Sequence, residues 1–297
     1  MNKNPVKPKI LIILGPTATG KSDLAVSLAK KCNGEVISAD SRQVYRGMDI
    51  GTGKVTKKEM GGIPHHLLDV ADPRRQFTVA KFVKLAEKAI KQITNKGKLP
   101  IICGGTGFYI QALVDGIIIP EVPANNTLRK KLSKMPVTDL FKMLSKLDPE
   151  RAKNIDSKNP RRLIRAIEVA TALGKVPPLN KNVNKYDATF IGLNLPPEEL
   201  KMRIQTRLLK RLKHGMLNES RKLHVNGISW KRMEDFGLEY RYIARHLQGK
   251  ISKEEMVKQL DMEIWHYAKR QMTWFKKEKR IKWFRPDEYK KIEEMVK

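Results

Sequence analysis

The sequence predicts an α/β fold, in which a parallel β-sheet flanked by helices carries an inserted all-helical domain. Three observations predict it. A continuous apolar run, Ile10–Leu14, leads straight into a glycine-rich segment; strand and helix patterns alternate through the first third; and a helical stretch broken by prolines precedes a later strand. Short apolar runs are typical of strands buried on both faces, and β-α-β alternation implies parallel strands joined by right-handed crossovers.

The individual elements follow from spacing and composition. The predicted strands are Ile10–Leu14, Glu35–Ala39, Pro100–Cys103 and Thr189–Leu193. The predicted helices are Lys21–Cys32, Thr78–Asn95, Phe108–Leu113, Pro197–Gly215 and Lys253–Lys279, within a C-terminal part expected to be helical throughout. From about Asn125 to Leu179 the pattern is purely helical, with breaks at prolines. We therefore predict a core of residues 1–120 and 185–297, with a helical insertion at 121–184.

Composition limits the class of protein. The chain has 297 residues, 40% hydrophobic and 31% charged, an ordinary composition for a globular protein. No apolar run approaches the roughly 18 residues that a membrane span needs. The N-terminus lacks the apolar stretch and cleavage site of a secretory signal. Cys32 and Cys103 are too few for a disulfide framework. The expectation is a cytoplasmic monomer.

The charge is unusual. Lysine and arginine total 60 against 31 acidic residues, a net charge of +29. An excess of this size creates a positive field that attracts polyanions, and it favours a nucleic-acid partner. A lysine-rich composition with solvated helix faces is the alternative. The charge carries no information about sequence specificity.

The glycine-rich segment after the first strand is a phosphate-binding motif. Gly15-Pro16-Thr17-Ala18-Thr19-Gly20-Lys21-Ser22 fits the pattern G-x-x-x-x-G-K-[ST]. In such a loop, backbone N–H groups curl around phosphate oxygens at a helix N-terminus, the lysine faces the terminal phosphates, and the serine hydroxyl ligates Mg²⁺. The motif lies between a predicted strand and a predicted helix, as the pattern requires. The sequence thus predicts a P-loop NTPase-like sheet.

Asp40 is the second candidate site residue. It directly follows the predicted strand Glu35–Ala39, and residues at that end of a parallel sheet face the ligand crevice. Its carboxylate is suited to hold Mg²⁺ through water or to accept a proton from a nucleophile. The alternative is that Asp40 only caps the next turn. Gln43, with a donor and an acceptor, is suited to a base edge.

The third signal is partly an absence. The strand Pro100–Cys103 ends in Gly104-Gly105-Thr106-Gly107, where ATPases and GTPases of this architecture usually carry a carboxylate. Glycines allow close backbone approach to a ligand, and Thr106 offers a hydroxyl to a substrate. This pattern disfavours a hydrolytic motor or switch, although it leaves a kinase open.

Taken together, these segments resemble the tRNA dimethylallyltransferases, also called isopentenyl-tRNA transferases. The matching segments are Gly15–Ser22, Asp40–Tyr45, Gly47–Thr52, Ile63–Leu67 with Asp69 and Pro73, Gly104–Tyr109, Asn159–Arg162 with Arg165–Val169, and Lys269–Phe275. They cover nearly the whole chain in the family's order. One departure is Phe236–Arg241, where the family commonly shows a shorter Gly-Tyr-[Lys/Arg] segment.

The resemblance implies an activity. The family transfers a dimethylallyl group from dimethylallyl diphosphate to N6 of adenosine 37, beside the anticodon, in tRNAs that read codons beginning with U. It implies that the loop Gly15–Ser22 binds the diphosphate with Mg²⁺, held by Ser22 and by Asp40 through water. It further implies catalytic roles for Asp40 as acceptor of the N6 proton, for Thr106, for Lys21, and for Arg207 on the diphosphate.

The resemblance also implies a surface for the tRNA anticodon stem-loop. A target base must leave its stack to reach such a pocket. The residues expected to contact tRNA are Asp40, Ser41, Arg42, Gln43, Thr106, Arg161, Arg162, Arg165, Lys269, Arg270, Gln271 and Trp274. Without the family match, the three arginines at 161–165 are ordinary surface residues and the aromatic residues near the C-terminus are core.

Two other functions remain open from the residues alone. A small-molecule or nucleoside kinase is predicted by the phosphate loop and Asp40 taken by themselves. An RNA-binding factor that uses the loop as a nucleotide switch is the non-enzymatic alternative, which the missing strand-end carboxylate disfavours.

Overall fold

The apolar runs form the central strands of one parallel sheet. A computed structural model describes residues 7–178 and 185–296. The strands are β1 (Lys9–Leu14), β2 (Gly34–Ser38), β3 (His65–His66), β4 (Leu99–Gly104), β5 (Asp187–Leu193) and β6 (Ile281–Phe284). Their order is β3-β2-β4-β1-β5-β6, and every pairing is parallel. The four strands predicted from sequence are confirmed, with bounds that differ by one or two residues.

The helices flank the sheet and fill the rest of the chain. They are α1 (Lys21–Lys31), α2 (Lys57–Met60), α3 (Val79–Asn95), α4 (Gly107–Val114), α5 (Asn126–Leu132), α6 (Val137–Leu147), α7 (Pro149–Lys153), α8 (Pro160–Leu173), α9 (Pro197–Lys213), α10 (Met216–Val225), α11 (Trp230–Phe236), α12 (Leu238–Leu247), α13 (Lys253–Phe275) and α14 (Tyr289–Val296). Within the described part of the chain, none is long and apolar enough to cross a membrane.

Each face of the sheet packs against its own set of helices. Alternate residues of β1 point to opposite faces, so Ile12 joins a core with Phe82 of α3 and Phe275 of α13, whereas Ile13 joins a core with Leu28 of α1. All five of these side chains are buried. The sheet is therefore covered on both sides, as its continuous apolar strands predict.

The chain order opens a crevice at the carboxyl ends of β1 and β4. β1 lies between β4 and β5, and Leu14 pairs with both Gly104 and Gly192. The chain leaves β1 toward β2 on one side and later passes from β4 to β5 on the other. Connections that diverge from adjacent parallel strands leave a ligand crevice at this edge. The loop Gly15–Ser22 follows β1 at that edge.

The expectation of an entirely helical C-terminal part is wrong. The helix predicted at Lys253–Lys279 ends at Phe275, and Ile281–Phe284 forms β6, paired with β5. Within this strand Trp283 and Phe284 pack against opposite cores. Four residues between lysines and arginines are too few to show a period of two, so the basic and aromatic composition concealed the strand.

The chain divides into two compact units. One is formed by Met1–Gly116 with Val183–Lys297, and the other by Ile117–Asn182. In the second unit α5–α8 surround a small core that includes Leu140, Leu144 and Leu163. α6 begins directly after Pro136, and α7 and α8 begin at Pro149 and Pro160, so these helix boundaries lie at predicted proline breaks. The predicted bounds of the insertion were 121–184, and residues 179–184 lie outside the described part of the chain.

Candidate functional site

The glycine loop is shaped by two backbone positions that only glycine fits easily. Gly15 has φ +143°, and a Cβ there would lie 2.3 Å from the carbonyl oxygen of Leu193 at the end of β5. Gly20 has φ +86° and starts α1. A side chain at the first position would collide with backbone, so the loop must turn tightly at the strand end. This turn places the N-terminus of α1 under the loop.

Lys21 folds back over the loop. Its Nζ donates to the carbonyl oxygen of Pro16 at 2.5 Å, and the buried hydroxyl of Thr19 donates to the same oxygen at 2.9 Å. Burial lowers the pKa of Lys21 to about 8. A buried ammonium whose pKa is lowered gains from a nearby anion, which is what a phosphate would supply. Ser22, one residue on, is exposed.

A cationic cavity of about 690 Å³ opens between this loop and α9. Lys21, Arg203, Arg207 and Lys210 line it. The acidic residues on its wall are Asp23, Glu59 and Glu199. Arg203 is paired with Glu199 at 2.9 Å. Four cations against three carboxylates leave the wall with a net positive charge, which suits an anionic ligand.

Arg207 reaches from α9 onto the phosphate loop. Its guanidinium donates to Thr17 Oγ1 at 3.1 Å and to the carbonyl oxygen of Gly53 at 3.4 Å. Burial and the neighbouring Arg211 lower the pKa of Arg207 to about 10. The structure thus brings Arg207 together with the predicted diphosphate loop.

Arg211, one helical turn beyond Arg207, was not among the site residues predicted from sequence. Its guanidinium donates to the carbonyl oxygen of Gly51 at 3.3 Å and to Glu239 Oε1 at 3.1 Å. Burial raises the pKa of Glu239, and Arg211 opposes that shift. The spacing of four residues on a predicted helix was the signal that places both arginines on one face.

The segment at residues 49–53 is held by Glu219, which sequence analysis also missed. The Glu219 carboxylate accepts hydrogen bonds from the backbone N–H groups of Asp49, Ile50 and Gly51 at 2.7–3.0 Å, and from the Tyr240 hydroxyl at 2.8 Å. A Cβ on Gly51 would lie 2.6 Å from the Tyr240 ring. The segment at residues 49–53 therefore packs against α12, and Arg207 and Arg211 of α9 donate hydrogen bonds to its carbonyl oxygens.

Asp40 follows β2 and caps the next turn. Its Oδ1 accepts hydrogen bonds from the backbone N–H groups of Arg42 at 2.8 Å and Gln43 at 3.2 Å. The capping interpretation is thus correct for one carboxylate oxygen. The same carboxylate opposes the lowering of the Lys21 pKa, so its charge acts on the phosphate loop. Capping and a functional role are compatible.

Thr106 joins the turn after β4 to the Asp40 segment. Its Oγ1 accepts a hydrogen bond from the Ser41 backbone N–H at 3.1 Å, and its own N–H donates to the carbonyl oxygen of Ala39 at 3.2 Å. A Cβ on Gly104 would lie 2.2 Å from that same carbonyl oxygen. The predicted neighbours Asp40 and Thr106 are therefore brought together by direct contact between two strand ends.

The side chains of Arg42 and Gln43 are partly occupied by the protein itself. Arg42 Nε donates to the carbonyl oxygen of Phe236 at 2.8 Å. Gln43 contacts Ser38 and Gly53, each at 3.3 Å. Phe236 belongs to the segment in which this sequence departs from the family, so that segment positions Arg42.

Gln271 does not lie where a tRNA contact is expected. It is 6% exposed. The oxygen and the nitrogen of its side-chain amide each form a hydrogen bond with a backbone group of the core unit. By contrast, Trp274 on the same helix is 36% exposed and packs edge-on against Phe108. Lys269 and Arg270 are exposed. Of the predicted contacts on α13, these three remain accessible.

In the helical unit, Arg161 and Arg162 are exposed on the first turn of α8, but Arg165 is not a free surface arginine. Its guanidinium binds Glu168 at 2.5 Å and the carbonyl oxygen of Val122 at 3.0 Å. Glu168 is 2% exposed, and Arg165 holds the start of the unit against α8. These bonds favour a structural role over the predicted tRNA contact.

Comparison with known proteins agrees with the motifs. The family model described as IPP transferase matches residues 43–278. The chain is 45% identical to tRNA dimethylallyltransferase 2 of Treponema denticola (91% of this chain, 92% of that one). It is 42% identical to tRNA dimethylallyltransferase of Caldanaerobacter subterraneus subsp. tengcongensis (97% and 95%).

Solved structures give the same result. The full-length tRNA isopentenylpyrophosphate transferase of Bacillus halodurans is similar with a TM-score of 0.74 and 37% identity, covering 98% of this chain and 96% of that one. A eukaryotic dimethylallyltransferase acting on tRNA is similar with a TM-score of 0.74 and 28% identity (90% and 70%). With a phosphate loop, a cationic cavity and relatives matched along nearly its full length, the chain belongs to the tRNA dimethylallyltransferase family of prenyltransferases.

Proposed function

We propose that the protein transfers a dimethylallyl group from dimethylallyl diphosphate to N6 of adenosine 37 in tRNAs that read codons beginning with U. The observation that best supports this proposal is the cavity formed by the phosphate loop and α9, whose cations Lys21 and Arg207 are influenced by the charge of Asp40 after β2. The turn at Gly104–Thr106, which follows β4, contains no carboxylate of the kind that hydrolytic NTPases use.

The donor half of the reaction needs a leaving group stabilised by positive charge. As the bond between C1 of the prenyl group and the diphosphate oxygen breaks, negative charge grows on the diphosphate. Lys21 and Arg207 are half-buried cations with lowered pKa values at the place where that charge would develop. Groups positioned before the reaction stabilise such charge without reorganising. Backbone N–H groups of the loop and of the first turn of α1 add to them.

The acceptor half needs a base beside the nucleophile. The N6 lone pair forms the new bond to C1, and the nitrogen must then lose a proton. Asp40 is the carboxylate at this edge of the sheet, with one oxygen committed to backbone N–H groups. We assign it as acceptor of the N6 proton, with Thr106 beside it.

Magnesium fits the donor side. The exposed Ser22 hydroxyl and the Asp40 carboxylate are oxygen donors of the kind that Mg²⁺ prefers. Among the described residues no group of three or more His, Cys, Asp or Glu side chains is placed to hold a metal ion. The protein would therefore hold Mg²⁺ through Ser22 and, by way of water, Asp40, and the ion would supply further charge to the diphosphate.

Contacts to tRNA are assigned, in each of the two units separately, to exposed basic and aromatic side chains. On α13 these are Lys269, Arg270 and Trp274, and on α8 they are Arg161 and Arg162. Such combinations suit unstacked loop bases and phosphates. Ser41, Arg42 and Gln43, which follow Asp40, are half-buried and placed to meet a base extruded from the anticodon loop. We propose that the enzyme acts as a monomer in the cytoplasm.

The test is direct. The protein is incubated with Mg²⁺, labelled dimethylallyl diphosphate and tRNAs that read codons beginning with U, one set with adenosine at position 37, on the 3′ side of the anticodon, and one set with another base there. The nucleosides are then analysed by mass. We expect dimethylallyladenosine only in the first set. ATP in excess should not compete with the prenyl donor. Transfer of a phosphate group from ATP, with no prenylated nucleoside, would establish a kinase instead.

A further inference from the structure

One amide joins the two halves of the site. Gln271 projects from α13, and its Oε1 accepts a hydrogen bond from the Thr17 backbone N–H at 2.9 Å. Its Nε2 donates to the carbonyl oxygen of Gly105 at 2.9 Å. The phosphate loop is thus tied to the turn after β4 through a side chain that lies 254 residues away from Thr17 in sequence.

The Gly105 turn is itself tied to the Asp40 segment. Thr106 accepts a hydrogen bond from Ser41 and donates one to Ala39. At the other end, Thr17 accepts the hydrogen bond of Arg207. A continuous set of hydrogen bonds therefore runs from Arg207 on the donor side to Ser41 on the acceptor side, and Gln271 is its central member.

The surroundings of Gln271 leave it little freedom. α13 has 23 residues and is anchored by Phe275, 2% exposed, in the core beneath the sheet. A Cβ on Gly105 would lie 2.2 Å from Gln271 Nε2. A carboxamide presents one donor and one acceptor in a single plane, and here each faces its complement in a buried setting. Loss of either bond would leave a backbone group unsatisfied.

We propose that Gln271 is a positioning residue that sets the separation between the diphosphate loop and the acceptor-side groups Asp40 and Thr106. The proposal rests on the proposed prenyl transfer, because only a reaction between two substrates needs that separation to be fixed. Gln271 acts through Thr17 and Gly105 and touches neither substrate. This role replaces the tRNA contact that the sequence suggested.

The test compares Gln271→Glu with Gln271→Met. In Gln271→Glu, the ionised carboxylate still accepts a hydrogen bond from Thr17 N–H. Its second oxygen faces the carbonyl oxygen of Gly105, and these two acceptors repel each other. Protonated glutamate donates there, as the native amide does. Methionine has a similar length and offers neither bond. Gln259→Glu, on the same helix but making neither bond, is the matched control.

We expect single-turnover transfer by Gln271→Glu to fall roughly 10–100-fold at pH 8, the size of effect that a small misplacement of reacting groups produces. Dimethylallyl diphosphate and tRNA affinities should stay within a few-fold of wild type. As the pH falls to 6, the rate relative to wild type should recover. The ionisable groups around the two loops are Lys21, Asp40, Cys103, Arg207 and Tyr267. They are common to both proteins, so the ratio isolates residue 271. Gln271→Met should show a loss without recovery.

Several results would overturn the proposal. One is a wild-type rate for Gln271→Glu at pH 8, and another is a loss of tRNA affinity that accounts for the whole loss of rate. If both Gln271 variants fail to fold, Gly105→Ala, whose methyl group displaces Nε2, must reproduce the loss of rate with both substrates still bound. A wild-type protein that transfers no prenyl group would refute the proposed function itself, and with it the role of Gln271.

Discussion

Two clusters of charge lie at opposite ends of β2, and they are built differently. At the start of the strand, Glu35 is 1% exposed and accepts hydrogen bonds from His66 at 2.7 Å, Lys98 at 2.9 Å and Lys96 at 3.2 Å. Beyond the other end, Lys21 and Arg207 are drawn out of water around the phosphate loop.

The pKa values show the difference. Burial by itself would raise the pKa of Glu35, but its hydrogen bonds to His66, Lys98 and Lys96 outweigh that effect and lower the pKa to about 2. At the loop, burial dominates and lowers the pKa of Lys21 to about 8 and that of Arg207 to about 10. The first cluster satisfies its own charge and stabilises the fold. The second lacks enough negative charge, which a bound diphosphate would supply.

The largest effect expected is at the acceptor carboxylate. Asp40→Ala should lower single-turnover prenyl transfer by about 10²–10⁴-fold, the usual contribution of a positioned base, with tRNA affinity nearly intact. Because Asp40 also caps the following turn, Asp40→Asn is the sharper variant: its amide oxygen can still accept from Arg42 and Gln43. It should lose as much activity as the alanine variant.

Asp187→Ala, at the exposed start of β5, is the control and should behave as wild type. Full activity in Asp40→Asn would mean that Asp40 only shapes the turn, and equal losses of transfer and of tRNA affinity would assign it to binding.

Glu35→Gln tests the opposite cluster. At pH 7 we expect the free energy of unfolding to drop by about 2–3 kcal/mol, because the charge-assisted bonds of a buried carboxylate are lost while its lysines turn to water. The transfer rate of the folded enzyme should not change. Urea unfolding measures the first quantity, and Glu150→Gln, an exposed partner of Lys153, is the control.

The difference in free energy of unfolding between wild type and Glu35→Gln should change with pH in a definite direction. Folding lowers the pKa of Glu35 from 4.5 to about 2, so its stabilisation is complete above pH 4.5 and disappears as the pH falls toward 2. The difference in free energy of unfolding between wild type and Glu35→Gln should therefore decrease as the pH falls from 4.5 toward 2. A gap that stays constant from pH 6 to pH 3 would show that the carboxylate is not the source of the stability.

The smallest effect expected is on binding of the prenyl donor. Free Lys21 loses its proton above about pH 8, whereas bound diphosphate favours the charged form, so binding must take up a proton. Between about pH 8 and pH 9.5, below the pKa of about 10 of Arg207, the dissociation constant should rise with a slope that approaches tenfold per pH unit, because binding takes up one proton. Lys21→Arg, which keeps its charge, should show a flat profile over the same range when titrated by calorimetry.

Sequence patterns predicted the parts of the site that lie close together in the chain. The loop at Gly15–Ser22, the buried strands and the position of Asp40 after β2 all follow from local spacing, and the structure bears out that placement. Sequence patterns did not predict the residues from distant parts of the chain that hold these segments together. Glu219 and the bonds of Gln271 depend on how α10–α13 pack, and one sequence shows no sign of which of these polar side chains faces inward. For Arg211 the sign was its spacing of four residues from Arg207.

The edge strand β6 illustrates the same limit. Its four residues gain their order from pairing with β5, and tertiary pairing routinely overrides weak local preference. The binding roles assigned to Lys269, Arg270 and Trp274 stay predictions.

The position of β1 in the middle of the sheet has a consequence for synthesis. Its two neighbours are β4 and β5, and β5 begins only at Asp187. Gln271 emerges later still. A nascent chain on the ribosome therefore carries its phosphate loop long before the segments that complete it, and pairing between such distant segments is slow to form and exposed to aggregation. A ribosome that stalled before residue 271 would hold a chain with the phosphate motif but without the residue that joins it to the acceptor side.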